Sequence, residues 1–327
     1  MLLASRPEGL VTSANLNLDD SAAIPSPGAG EALVKVHYLS IDPTIRGWMN
    51  DAPGYLPPIG LGEVIRSGGV GEVVESNNVD VPAGSMVFGM LGWQEYVIMT
   101  ADAPFTVVPD GVDPTWVLSV FGITGLTAYF GLLDIGQPKV GDTVVVSGAA
   151  GATGSVVGQI ARLSGASRVV GIAGSDEKCA WLTDELGFDA AINYRKQNVL
   201  AALGETCPDG IDVFFDNVGG EILDAALAHL AMKARVVICG AISQYNSDTP
   251  EGPKNYLALI MKRARMEGFL VLDYLDRFPE AQLKMFEWVL SGSIKHKEHV
   301  VEGLEHAGDA LNLLFSGEND GKVIVKI

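Results

Sequence analysis

The chain has 327 residues, 48% of them hydrophobic and 19% charged, which supplies apolar material for two domains and excludes a disordered protein. Its formal net charge of −18, with no long Lys/Arg cluster, argues against nucleic acid as a partner. No apolar run reaches the length of a membrane span, and the opening MLLASRPEGL has an arginine by position 6 and no long apolar stretch, so a cytoplasmic protein without a secretory signal is expected.

Residues 1–30 carry Pro7, Pro25 and Pro27 among polar residues and are expected to run as an extended edge. Glu31–Ser40 alternates apolar and polar residues as a half-buried strand does. Ile41 to Met49 reads as a turn leading into a short helix or loop, and residues 53–60, PGYLPPIG, as loop. Glu63–Ser76, Ser85–Met90 and Gly92–Thr100 read as strands between Gly and Asn turns. The first 110 residues therefore predict a compact, barrel-like β domain.

The character changes near Pro114. Trp116–Leu133 is apolar with a GITG interruption, which predicts two helical pieces broken at Gly122–Gly125. Thr143–Val146 is a β-branched apolar run, read as a strand buried on both faces. Gly148, Gly151 and Gly154 follow it at a spacing of three, and Val156, Val157, Ile160, Ala161 and Leu163 then recur at helical spacing. Strand, glycine turn and helix in this order suit a pyrophosphate. The helix N-terminus offers unpaired N–H groups and the positive dipole end, and glycines let the backbone approach closely. The spacing Ala149-x-Gly151-x-x-Gly154 matches a dinucleotide fingerprint with alanine for its first glycine. A tight strand-to-helix turn with no ligand would read the same way.

Beyond that turn the pattern alternates. Strands are predicted at Val169–Ala173, Ala190–Asn193, Ile211–Asp216, Arg235–Cys239 and Met266–Leu270, with helices at Glu177–Leu186, Glu221–Leu230, Asn255–Lys262 and Asp276–Leu290. That alternation predicts a Rossmann-type doubly wound parallel sheet. A last helix ending near Phe315 and a strand at Lys322–Ile327 follow a sheet already complete by about residue 291, so the tail is expected to return to the first domain. The boundaries are a β-rich substrate domain at 1–118, joined by 292–327, and a dinucleotide domain at 119–291.

The end of the second strand of that sheet decides the cofactor. A site for the unphosphorylated dinucleotide usually places an acid there, for the ribose hydroxyls. Here the tip reads Gly171-Ile172-Ala173-Gly174-Ser175, with Asp176, Glu177 and Lys178 just after. Lys178 can hold a 2′-phosphate as a point charge, with Tyr194 and Arg195 flanking it, which favours NADP(H). Lys178 also reads as an ordinary solvated helix residue. No Tyr-x-x-x-Lys pair occurs. Cysteines at 179, 207 and 239 lack a C-x-x-C and read as reduced thiols, and Cys239 as a small buried residue ending a strand. His296 and His299 are three apart and would share a helix face, without further ligands in a zinc-like spacing. Ser40 stands where a zinc-binding cysteine would be sought, and Gly62-Glu63 lacks a histidine before the acid, so no metal site is expected and a substrate carbonyl would be activated by hydrogen bonds alone.

The stretches SIDPTIRGWMND (40–51), LGWQEY (91–96), GITGLTAYFGL (122–132), SGAAGATGSVVGQIA (147–161), GIAGSDEK (171–178), INY (192–194), FDNVGGEILDAAL (215–227), ICGAISQYN (238–246) and GENDGKVIVKI (317–327) span nearly the whole chain in order. On them the chain resembles the zinc-free medium-chain dehydrogenase/reductase superfamily. Within it, the chain is similar to the NADPH-dependent double-bond reductases: the prostaglandin reductase (leukotriene B4 dehydrogenase) group, plant alkenal reductases and bacterial curcumin reductase. The resemblance implies a Rossmann-type sheet plus a β-rich GroES-like barrel domain, and a dimer paired through the nucleotide domain.

It also implies roles at matched positions. Ala152, Thr153, Gly154 and Ser155 would hold the pyrophosphate, and Lys178 and Tyr194 the 2′-phosphate region, with Gly174 and Thr124 as further cofactor positions. Asn217 would touch the ribose. Cys239, Gly240, Ala241, Ile242 and Ser243 would line the nicotinamide, Phe269 and Leu270 would lie along it, and Asn319 would close it. Tyr55 and Met49 would line the substrate pocket, although Tyr55 also reads as a loop residue packed on Pro57 and Pro58. Several relatives have a tyrosine where this chain has Thr44, so the shape of the pocket wall is expected to differ. Tyr245 is the catalytic candidate: a phenol, with an ordinary pKa of about 10, would meet the carbonyl oxygen as hydride reaches the β-carbon of an enone. A structural tyrosine that hydrogen-bonds the cofactor is the alternative for that residue. For the whole chain the alternatives are an NADPH quinone oxidoreductase of the same superfamily and a low-turnover NADPH-binding protein.

Overall fold

The computed structural model describes residues 1–100, 102–247 and 249–327. In chain order it begins with β1 (Leu2–Leu3), β2 (Leu16–Asn17), β3 (Ala32–Ser40), α1 (Thr44–Trp48), β4 (Gly69–Ser76), β5 (Met86–Gly89), β6 (Tyr96–Met99), β7 (Phe105–Val107) and α2 (Pro114–Leu118). Then come α3 (Ile123–Phe130), a π-helical turn Gly131–Gly136, β8 (Thr143–Ser147), α4 (Ala152–Leu163), β9 (Arg168–Ala173), α5 (Asp176–Asp184), β10 (Ala190–Asn193) and α6 (Val199–Thr206). The chain continues through β11 (Ile211–Asp216), α7 (Gly220–Ala228), β12 (Leu230–Ile238), α8 (Ala258–Lys262), β13 (Arg265–Gly268) and α9 (Phe278–Leu290). It closes with β14 (Glu298–Glu302), α10 (Ala307–Ser316) and β15 (Lys322–Lys326). These elements fall into two compact units, Met1–Ser119 with Glu298–Ile327, and Val120–Lys297.

The first unit is built on a seven-stranded mixed sheet of order β14-β15-β3-β4-β5-β7, with β6 also paired to β3. The final strand β15 lies antiparallel to β3, with Val325 opposite Leu39. Its core gathers Val34, Val36, Leu39, Ile45, Met49, Trp93, Val323 and Val325. The expected strand Glu63–Ser76 is strand only from Gly69. Residues 63–67 give their backbone bonds elsewhere: Leu3 N–H donates to Glu63, Ile65 N–H to Met1, Trp93 N–H to Ile65 and Gly92 N–H to Ser67. His299 lies on strand β14, so it shares no helix face with His296.

The second unit holds a six-stranded sheet of order β10-β9-β8-β11-β12-β13, parallel throughout. Every residue of β8 is buried, as expected of the central strand of a sheet covered on both faces. The order reverses between β8 and β11, and in open parallel sheets ligands sit outside the strand ends at such a switch. Helix α3 begins at Ile123 and runs through Gly125, so the break falls at Ser119–Gly122 and does not reach Gly125. A Cβ on Gly125 would stand 1.9 Å from the Val120 carbonyl oxygen, so the glycine serves a close approach within a continuous helix. No helix among the described residues is long and apolar enough to cross a membrane.

Candidate active site at the crest of the parallel sheet

Gly148 leaves β8 with φ +57°, a conformation that suits glycine, and the chain turns into α4 at Gly151. No side chain caps this helix. Its first N–H groups, at Ala152, Thr153 and Gly154, therefore face an end where an anion can complete them. Gly154 owes its identity to packing: a Cβ there would stand 2.4 Å from the Gly148 carbonyl oxygen and 2.9 Å from Ala149 Cα. Ser155 is buried on the strand side, and its N–H returns to Gly151.

A buried network beside this turn joins β8 to β11. Asp216 is fully buried, and burial pushes its carboxyl up, opposed by the donors of Ser147, Gly219 and Val218. The Ser147 hydroxyl donates to Asp216 at 2.7 Å and accepts from the Asn217 N–H at 2.8 Å. Asn217 Nδ2 donates to the Ser147 carbonyl at 2.7 Å. The amides of Val218 and Gly219 complete the carboxylate at 3.0 and 3.1 Å. Neither Ser147 nor Asp216 figures among the residues the motifs single out. Their signal is positional: each is the polar residue that follows an apolar run and closes its strand at the carboxyl end, in the VVVS of β8 and the VFFD of β11.

The Asn217 turn is zipped to the next loop. Ile242 N–H donates to the Asn217 carbonyl, and the Ser243 N–H and hydroxyl donate to the Val218 carbonyl. Cys239 and Gly240 N–H both reach the Asp216 carbonyl oxygen. Burial pushes the Cys239 thiol up to about 12, which keeps it protonated at neutral pH. The Tyr245 phenol lies back over its own loop and accepts from the Ala241 N–H at 3.2 Å. Phe269, past the end of β13, fills the space over Gly131, where a Cβ would meet its ring at 2.4 Å. Leu270 beside it is exposed, and Thr124 is half-buried in the first turn of α3.

At the end of β9, Ser175 caps α5 by accepting the Lys178 N–H. Tyr194 folds over Gly174, whose Cβ would stand 3.1 Å from the ring, and Arg195 lies 5.8 Å from the same ring centroid. The structure thus brings Gly174 and Tyr194 together beside the first turn of α5, which carries Lys178.

In the first unit, Tyr55 is 48% exposed, shares a hydrogen bond with the Thr44 hydroxyl and stands edge-on to Trp48 at 6.2 Å. Thr44, in place of a bulkier residue, thus holds the Tyr55 phenol. Met49 has no exposed surface and packs in the core, while its carbonyl accepts from Arg6. Asn319 is buried too, its Nδ2 turned onto the Gly321 carbonyl at 2.9 Å.

Two family profiles match the chain: one described as the N-terminal domain of oxidoreductase over residues 1–107, and one described as zinc-binding dehydrogenase over 152–288. The NADPH-dependent curcumin reductase of Escherichia coli is 42% identical over 100% of this chain and 96% of its own. The NADP(+)-dependent 2-alkenal reductase of Nicotiana tabacum is 42% identical over 92% of this chain and 88% of its own. The crystal structure of CurA from Vibrio vulnificus in complex with NADPH superposes with a TM-score of 0.94 at 44% identity, covering 99% and 98% of the two chains.

Zinc, named in one of those descriptions, does not fit the residues present. The Ser40 hydroxyl donates to Asp42, whose other oxygen takes the Lys322 ammonium at 2.6 Å. Lys322 is 2% exposed and also donates to the Ile41 carbonyl at 2.7 Å, so a fixed cation already stands on that carboxylate. Glu63 accepts from the Gly60 N–H instead. Among the described residues no group of three or more His, Cys, Asp or Glu could hold a metal ion.

Proposed function

This chain belongs to the medium-chain dehydrogenase/reductase superfamily, in its NADPH-dependent double-bond reductase group, and on that premise we propose that it reduces the carbon–carbon double bond of α,β-unsaturated aldehydes and ketones. The observation that carries the reading is the crest of the parallel sheet, where the uncapped head of α4, the Asn217 turn and the 240–245 loop are tied together at the switch between β8 and β11. These residues fit a phosphorylated dinucleotide, and NADPH, when bound, supplies the hydride.

The chain's own groups bind and orient. Ala152, Thr153 and Gly154 hold the pyrophosphate through the N–H groups at the head of α4, and Ser155, whose N–H returns to Gly151, closes the turn beneath them. Lys178, Tyr194 and Gly174 receive the 2′-phosphate end. Asn217 has its Nδ2 committed to Ser147, which leaves its amide oxygen to accept from a ribose hydroxyl. The 239–243 loop, Phe269, Leu270 and Thr124 line the nicotinamide side. Tyr55 contributes a polar, exposed group to substrate, while the buried Met49 and Asn319 act by shaping the loops that hold them.

Reduction adds a hydride at the β-carbon and a proton, from water, at the α-carbon. In between, the carbonyl oxygen carries enolate charge. The Tyr245 phenol donates to that oxygen, and the Ala241 N–H it accepts polarises its O–H and strengthens it as a donor. Activation is metal-free, because Lys322 holds the Asp42 carboxylate that a metal would need.

The chain works in the cytoplasm as a homodimer. Strand β13 lies at the edge of its sheet, and Tyr256, Leu257, Ile260 and Met261 expose apolar surface on and beside α8, which supports pairing through this unit. Light scattering on the purified chain checks the dimer. The function is tested by NADPH oxidation over a panel of enals, enones and quinones with product identification. A saturated aldehyde or ketone is expected; consumption with quinones alone, or with nothing, would overturn the reading.

A further inference from the structure

We infer that Lys196 sets the preference for the phosphorylated dinucleotide by masking the Asp176 carboxylate; the inference rests on the NADP(H) reading. A dinucleotide fold that takes the unphosphorylated cofactor presents an acid just past the second strand of the sheet, to receive the ribose hydroxyls. The strand tip of this chain carries no acid, but one follows it closely. Asp176 opens α5 three residues after the end of β9, and two residues before Lys178. Unmasked, it would repel a 2′-phosphate and draw the Lys178 charge onto itself.

Both of its oxygens are taken. Asn193 Nδ2 donates to Oδ1 at 2.6 Å, and the Lys196 ammonium pairs with Oδ2. The grip is built into the turn after β10. Lys196 N–H donates to the Asn193 carbonyl, Asn193 N–H donates to Gln197 Oε1 at 2.8 Å, and Arg195 N–H donates to Asn193 Oδ1 at 3.1 Å. Asn193 itself is buried, which fixes the donor that meets Asp176. The same turn carries Tyr194 onto Gly174. One five-residue turn thus places the aromatic ring and neutralises the acid. The other acid of this helix end, Glu177, is held low by its own backbone N–H and the Ser175 hydroxyl, so it is engaged by the helix terminus. With Asp176 paired to Lys196, its negative charge is offset by an ammonium, and the repulsion a dianion would meet at this helix end is reduced.

The side chains of Lys196 and Asp176 are 66% and 60% exposed, so the pair contributes little to folding, and its replacement leaves the unit intact. Lys196→Ala is expected to raise the KM for NADPH by about three- to tenfold, with kcat at saturating NADPH and the KM for NADH unchanged, as one unmasked surface carboxylate acting on a dianion through water would do. The increase should shrink when salt is raised from about 0.05 M to about 0.5 M, because the interaction is screened. Lys196→Arg should keep the wild-type ratio, and Asp176→Asn added to Lys196→Ala should restore it. An equal rise in both KM values, an effect indifferent to salt, or no restoration by Asp176→Asn would overturn the inference. A wild-type enzyme that turns over enones with no preference between NADPH and NADH would overturn the NADP(H) reading together with it, and is recognised before any variant is made.

Discussion

Ser147→Ala removes one hydroxyl from the centre of the sheet crest, and its effect can be worked from the geometry. Ser147 is fully buried, donates to Asp216 at 2.7 Å and accepts from the Asn217 N–H at 2.8 Å. Its loss strips a donor from a buried carboxylate and leaves a buried N–H without an acceptor. Together these cost about 2–4 kcal/mol, which for a domain of this size is a fall of roughly 5–12 °C in Tm. The pH dependence carries the sharper test. Burial raises the folded-state pKa of Asp216, and the Ser147 hydroxyl is the leading influence holding it down. A carboxyl raised in the folded state favours folding most below its unfolded value of about 3.9, and that contribution is lost as pH climbs through the folded value. Without Ser147 the folded value rises further, so the loss reaches further up the scale. Calorimetry across the acid-to-neutral range should therefore show a Tm deficit that is small in acid and largest near neutrality. A deficit below about 2 °C at neutral pH, or one of equal size in acid, would refute the reasoning.

Other substitutions test other parts of the molecule. Tyr245→Phe should lower enone turnover more than tenfold, roughly the worth of one donor to a developing oxyanion, with NADPH affinity nearly intact by fluorescence titration; unchanged turnover removes the phenol from the chemistry. Gly154→Ala places a methyl 2.4 Å from the Gly148 carbonyl, and a shift of the helix head costing about 1–3 kcal/mol should appear as weaker NADPH binding together with a lower Tm. Arg235 pairs with Asp142 and donates to the Gly136 carbonyl at 3.0 Å with little exposure, so Arg235→Ala, which strands Asp142, should destabilise by about 3–5 kcal/mol in a urea titration.

The alternating half of the chain was the more legible half. β-branched and aromatic runs such as VVV and VFF, bounded by glycine, have few readings other than buried parallel strands, and β8, β9, β10 and β11 lie within a residue of where the pattern puts them. Boundaries drifted where tertiary bonds decide them. Leu230 reads as the end of a helix but begins β12, because Ile211 and Leu230 pair across the sheet. The strand expected from Glu63 loses its first residues to partners at Met1, Leu3 and Trp93, none of which local pattern can see. The glycines of the turn between β8 and α4 were readable because a close approach, as at Gly154, leaves only one residue type possible. Ser147 and Asp216 were not: they stand 69 positions apart, and only the closed sheet makes them neighbours. The Asp176–Lys196 pair is hidden likewise, since it joins two turns through β10.

The route of the chain through the first unit has a consequence for how the protein is made. β3 near the start finds its antiparallel neighbour in β15 at the end, whereas the second unit is one uninterrupted segment, Val120–Lys297. During synthesis the last strand of the parallel sheet, ending at Gly268, is made well before Lys322, so that sheet can form while β3 still waits for β15. Vectorial folding therefore runs from the middle outward. A nonsense codon late in the message leaves the segment of the parallel sheet whole and unzips the strands that were synthesised first.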